Sequence, residues 1–139
     1  MFYYIEPEVA GDWGDNIIVD TSVHPPIVTR LHYEFINVWL GDDILETFPC
    51  FIVTDRLKKA LELARFSGYT IDDVEVSVAV DFRVMYPNRT LPEFHWLKIH
   101  GVAGKDDFGI AEDLRLVIST RVLGVLRKFN LEHAESEEF

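Results

Sequence analysis

The strongest constraint on this chain is a pattern that occurs twice. Val53-Thr54-Asp55-Arg56-Leu57-Lys58-Lys59-Ala60-Leu61 lies over Ile118-Ser119-Thr120-Arg121-Val122-Leu123-Gly124-Val125-Leu126 at a spacing of 65 residues. Two positions are identical, Arg56/Arg121 and Leu61/Leu126, and four more agree in chemical class. In each copy an apolar stretch, Phe51-Ile52-Val53 or Leu114–Ile118, reads as a strand and runs into Thr54 or Ser119, residue types that cap helix N-termini. Apolar residues then recur at i, i+3, i+4 and i+7: Leu57, Ala60, Leu61 and Ala64 in one copy, Val122, Val125, Leu126 and Phe129 in the other. That spacing is the stripe of an amphipathic helix. The pattern predicts two strand–helix units from an internal repeat, against the alternative that any strand feeding a capped helix resembles another. Arginine in a first helical turn is mildly disfavoured by the helix dipole. Arg56 and Arg121 therefore either reach a nearby carboxylate or carbonyl, or are ordinary solvated residues.

Around these units the periodicity gives shorter elements. Phe2–Glu6 reads as an aromatic strand, Pro7–Asp15 as a loop and Asn16–Asp20 as a second short strand. His24-Pro25-Pro26 excludes helix interior, and 28–38 contains a strand. Asp42 or Asp43 is placed to cap a brief helix through Phe48, and Ser67-Gly68 ends the first amphipathic helix. Strands are expected at 74–80 and 94–100, a helical turn at 82–86, a loop from Gly101 to Gly109, and a frayed tail or terminal strand over 132–139. The sum is one α+β domain over residues 1–139, with a mixed or antiparallel sheet and two main amphipathic helices.

Charge narrows the partners. The net charge is −11, and residues 1–50 hold nine acids against one base, Arg30, a net of −8 that leaves −3 to residues 51–139. Such a surface repels nucleic acid and anionic lipid heads. It attracts basic protein partners, or serves solubility alone. Cys50 is the single cysteine, so no intrachain disulfide forms, which fits a reducing cytoplasm. The start of the chain has no basic n-region or cleavage site, and no apolar run approaches the ~18 residues that span a bilayer.

Motifs for chemistry are missing. No phosphate loop, nucleophile elbow, zinc-protease helix or CxxC pair occurs. Gly101–Lys105 resembles part of a phosphate loop, but Asp106 stands where Ser or Thr is needed and would repel phosphate. The histidines at 24, 32, 95, 100 and 133 follow no metal-ligand spacing, so neither metal nor cofactor is expected. Cys50 sits in an apolar stretch and reads as structural. The paired acids Asp42-Asp43, Asp72-Asp73, Asp106-Asp107 and Glu112-Asp113 read as solvated loops, or together as a negative face for a basic partner. Trp13, between Asp12 and Asp15 in a glycine-rich loop, is either an interface anchor or a ring folded onto the core. The candidate partner-binding set is thus Asp12, Trp13, Asp15, Asp42, Asp43, Asp106 and Asp107.

The segments Phe48–Leu57 and Leu116–Val122 resemble the strand–[ST]xR–helix units of a family of bacterial polymorphic-toxin immunity proteins; Asp106-Asp107-Phe108 and the stretch Leu126–Glu132 are similar too. The likeness covers residues 45–139. It implies a cytoplasmic protein with no catalytic residues, which binds and blocks a toxin delivered by a neighbouring cell. A basic nuclease toxin would suit the acidity. The alternatives are a small-molecule or enzymatic pocket holding histidines, and a self-associating accessory domain.

Overall fold

Both strand–helix junctions form, and they are the frame of an α+β fold. The computed structural model describes residues 1–139. In chain order the elements are β1 (Phe2–Glu6), β2 (Gly11–Trp13), β3 (Ile18–Asp20), β4 (Ile27–Phe35), β5 (Ile44–Thr47), β6 (Cys50–Thr54), α1 (Asp55–Ala64), β7 (Tyr69–Asp72), β8 (Val74–Val78), α2 (Val80–Met85), β9 (Phe94–Ile99), β10 (Phe108–Ile110), β11 (Leu116–Ser119), α3 (Thr120–Leu126) and β12 (Glu135–Glu138). No helix is long and apolar enough to cross a membrane.

The repeat extends beyond the nine residues that betray it. One antiparallel sheet has the order β5-β6-β9-β7, the other β10-β11-β1-β12. In each, a hairpin (β5-β6 or β10-β11) enters a helix (α1 or α3), and the chain returns as an edge strand (β7 or β12). The remaining strand of each sheet comes from the other half. β9, which leads into the second hairpin, completes the first sheet, and β1, which leads toward the first hairpin, completes the second. The registers agree: Val53 faces His95 as Ile118 faces Tyr3, and Phe51 faces Leu97 as Leu116 faces Ile5. The two units therefore exchange a strand within one chain.

Matching polar clasps join the units. Asp43 accepts from Thr54 Oγ1 (2.5 Å), from Arg56 Nε and Nη2 (2.8 and 2.7 Å) and from the Asn130 amide (2.8 Å). Asp107, its counterpart, accepts from Ser119 Oγ (2.8 Å) and the Ser67 amide (3.0 Å). Arg56 lies over the ring of Phe129, and Arg121 over the ring of Phe66. Each aspartate thus binds the turn after the other unit's helix, and each arginine covers the aromatic ring there. That reciprocity is the signature of two-fold pairing. Of the two readings for the arginines, Arg56 takes the first. Thr54 spends its hydroxyl on Asp43 and caps no amide, whereas Ser119 also accepts from the Val122 amide (3.2 Å).

Between the units lies one core, with Ile5, Ile44, Phe51, Val53, Leu57, Leu61, Leu97, Phe108, Leu116, Ile118, Val122 and Leu126 all buried. A second core forms on the far side of the first sheet. There β2 and β3 run antiparallel to β4, and β8 runs parallel to it. This inserted layer, with α2, covers Leu45, Cys50, Ile52, Phe94 and Trp96 with Leu31, Tyr33, Phe35 and Phe82. Strand β6 is buried on both faces for that reason.

Several expectations give way. Residues 44–47 are strand rather than helix, because Ile44 and Leu45 feed opposite cores. Strand β2 forms inside the expected 7–15 loop, and β10 begins at the end of the expected 101–109 loop and runs to Ile110. Both are three residues long and held by their partner strands. β7 carries no signal in the periodicity and forms by pairing with β9. Val80 begins α2, and α3 ends at Leu126 so that Phe129 lies beyond it; of the two readings of the acidic tail, the terminal strand holds, over Glu135–Glu138.

Candidate partner-binding face

The equivalence of the two units shows which side chains the architecture does not require. On the first sheet, the face turned from the helices is sealed by the inserted layer, and Phe94 and Trp96 are buried. On the second sheet, the matching residues Phe2 and Tyr4 are only half-buried. What covers this face is the loop before β10. Gly109 stands where the first unit has Leu45, and a Cβ there would come 2.3 Å from the Ala103 nitrogen, so the loop lies directly on the glycine.

A cleft of about 690 Å³ remains, lined by Tyr4, Val102, Ala103, Ile110, Glu112, Asp113 and Phe139, among others. Tyr4 and Phe139 meet edge to face at 5.1 Å. On the other side of Tyr4 a smaller cleft is lined by Glu6, Glu135, Ser136 and Glu137. The surface is therefore aromatic at its centre and acidic around it.

Its charge is inverted relative to its twin. In the first sheet Lys98 faces Thr70, lies over Trp96 (4.7 Å) and pairs with Asp72 (3.3 Å). In the second sheet Glu6 occupies the position of Lys98, and it faces Glu135. Like charges directly opposite on antiparallel strands are destabilising. Arg115, just before β11, takes over the cationic contact with Tyr4 (3.6 Å). It is already held by Glu137 (2.6 Å) and Asp113 (2.8 Å), which fix its proton more tightly than usual. Glu6 and Glu135 are left exposed without a cationic partner. Burial, with the field of Glu6 added, pushes the Glu46 carboxyl up to about 7.

The acids singled out from sequence divide. Asp42 and Asp43 are 1% and 2% exposed, so they are not part of a solvated negative face. Asp42 accepts from the His133 amide (2.9 Å), and burial raises its carboxyl above the ordinary value. Burial also pushes Asp43 up, but the bonds from Arg56, Thr54 and Asn130 outweigh it and hold the carboxyl low. Half-buried Asp106 accepts from the Val102 amide (2.7 Å) within its own loop, and Asp107 makes the second clasp. Trp13 is half-buried and donates Nε1–H to the Phe48 carbonyl (3.1 Å), so its ring is folded back. Asp12 and Asp15 remain exposed on the inserted layer, Asp12 opposite Glu34. Glu6, Glu135 and Glu137 were not singled out. The signal available was their alternation with Tyr4 and Ser136 in two acidic-ended strands, but nothing in sequence shows that the strands are neighbours.

Cys50 is buried and its thiol is pushed up to about 12 by burial, as a structural cysteine requires. His32 is buried, with Nδ1 accepting from the Asn16 amide and Nε2 2.7 Å from Ser77 Oγ. His95 lies 2.8 Å from Asp55 at the start of α1, with Glu93 at 3.9 Å. These three side chains are the one cluster suited to a metal ion. The Glu93-x-His95 spacing was the available clue. No protein-family model matches the chain, and neither does any curated protein.

Proposed function

We propose that this protein is an immunity protein: it binds a basic toxin domain in the cytoplasm and neutralises it by covering a functional surface, with no catalysis of its own. The observation that carries the reading is the partly open, charge-inverted face of the second sheet. A strand-exchanged pair of units needs Ile5, Leu116 and Ile118 inward, but it does not need Glu6 opposite Glu135. That repulsion is relieved when a cationic group from a partner lies between them, and Tyr4 and Phe139 supply the aromatic area that anchors interfaces. The resemblance of the [ST]xR units to immunity proteins and the net charge of −11 support the same reading.

The test is co-purification with the polypeptide encoded beside it, followed by titration calorimetry. A one-to-one complex is expected, weakened by salt and weakened at least about tenfold by Glu6→Lys with Glu135→Lys, because charge reversal slows encounter and sets like charges against the basic partner. Binding that ignores both salt and the double substitution would sink the proposal.

A further inference from the structure

We infer that Asp55, Glu93 and His95 form a binding site for a first-row divalent cation of the zinc type. One donor atom from each of Asp55, Glu93 and His95 lies within 4.8 Å of the other two, with His95 Nε2 2.8 Å from Asp55 Oδ1 and 3.9 Å from Glu93 Oε1. Metal–ligand bonds of about 2.0–2.2 Å place ligand atoms roughly 3.3 Å apart around a tetrahedral ion. The His95–Asp55 separation of 2.8 Å needs to open by only a fraction of an ångström, and the Glu93 carboxylate, 3.9 Å from Nε2, closes by a similar amount.

The backbone holding these groups is fixed. The Asp55 amide donates to the Glu93 carbonyl (2.9 Å), and His95 pairs with Val53 across β6 and β9. The twin junction has the same backbone bond, from the Thr120 amide to the Met1 carbonyl (3.0 Å), but carries Thr120, Met1 and Tyr3. Threonine, methionine and tyrosine satisfy the architecture there, so two carboxylates and an imidazole are an addition to it. Two carboxylates with a neutral imidazole balance a divalent charge, and a nitrogen donor favours zinc over magnesium or calcium. Asp55 Oδ2 is bonded to Lys59 (2.9 Å), whose side chain is 70% exposed and can keep that oxygen or leave it to water. The site opens beside a cleft of about 430 Å³ lined by Asp55, Arg56, Pro92 and Asn130, which gives the remaining coordination positions access to water. A bound ion would staple the start of α1 to the start of β9.

Titration calorimetry of zinc chloride into the full chain tests this, with cobalt absorption as a second readout. One ion per chain is expected, undisturbed by millimolar magnesium. His95→Ala should abolish binding, and Glu93→Gln, at an exposed position that leaves the fold intact, should weaken it about tenfold or more. His100→Ala should leave it unchanged. No saturable zinc binding by the folded wild-type chain, or unchanged affinity in either His95→Ala or Glu93→Gln, would overturn the assignment.

Discussion

Replacing Asp43 by Asn tests the clasp and, through its twin, the reading of the two-fold. Asp43 is 2% exposed and accepts from Thr54, twice from Arg56 and from the Asn130 amide. Asparagine keeps one acceptor and turns an NH2 group toward donors. Breaking a buried ion pair by removing one partner costs about 3–5 kcal/mol. The Arg56 side chain is 59% exposed and regains water, so no charge is left buried and the cost is that of the charged hydrogen bonds lost, about 3 kcal/mol. Asp107→Asn removes only the half-buried clasp with Ser67 and Ser119 and no direct arginine bond, so it should cost about 1 kcal/mol. Against a total of about 5–15 kcal/mol, the first is a large fraction of stability and the second is not. In urea, with a slope of about 1–3 kcal/mol per molar, Asp43→Asn should lower the midpoint by roughly 1–3 M. The sign with pH follows. The Asp43 carboxyl is held below its ordinary value, so its contribution is complete above the unfolded value of about 3.9 and is lost as pH falls through the folded one. The gap between wild type and Asp43→Asn should therefore close in acid below about pH 4. A cost under about 1 kcal/mol at pH 7, or equal costs at the two aspartates, would refute the assignment of the clasp.

Further outcomes follow from other positions. Glu46 is raised to about 7, so the folded state binds a proton that the unfolded chain has released, and stability falls as pH rises from about 4.5 to 7. Glu46→Gln should add about 1–3 kcal/mol at pH 8 and nothing near pH 4.5, read by urea unfolding at both pH values; a gain at the lower pH would contradict it. Gly109→Ala sets a methyl against the Ala103 backbone, and should cost about 1–3 kcal/mol and quicken proteolysis between Gly101 and Asp107; an unaltered cleavage rate would count against the packing described. Removing residues 1–6 takes out the strand between β11 and β12. Cooperative unfolding and near-ultraviolet dichroism should disappear, and survival of both would contradict the strand exchange.

The α+β class, the two helices with their buried stripes at Leu57/Leu61 and Val122/Leu126, and the repeat were legible because they are written in local spacing. Helix periodicity and cap residues act over a few positions, so one stretch of chain displays them. The short strands were not legible: three or four residues carry too little period, and β5 and β10 are held as hairpin arms by β6 and β11 while β7 is held by β9, 24–30 residues further on. Paired acids look alike in a sequence, yet Asp42 and Asp43 are sealed in the interior while Glu6 and Glu135 face each other in the open. The Asp55, Glu93 and His95 cluster is divided between a helix start and a strand start 38 residues and more apart. By itself the sequence determined the two main amphipathic helices and which of their apolar faces must be hidden. Only the tertiary structure decided that each unit borrows a strand from the other, and so which charges become neighbours. Pairing β1 with β11 across 111–117 residues is a long-range choice, fixed by burying one shared core rather than by any local preference.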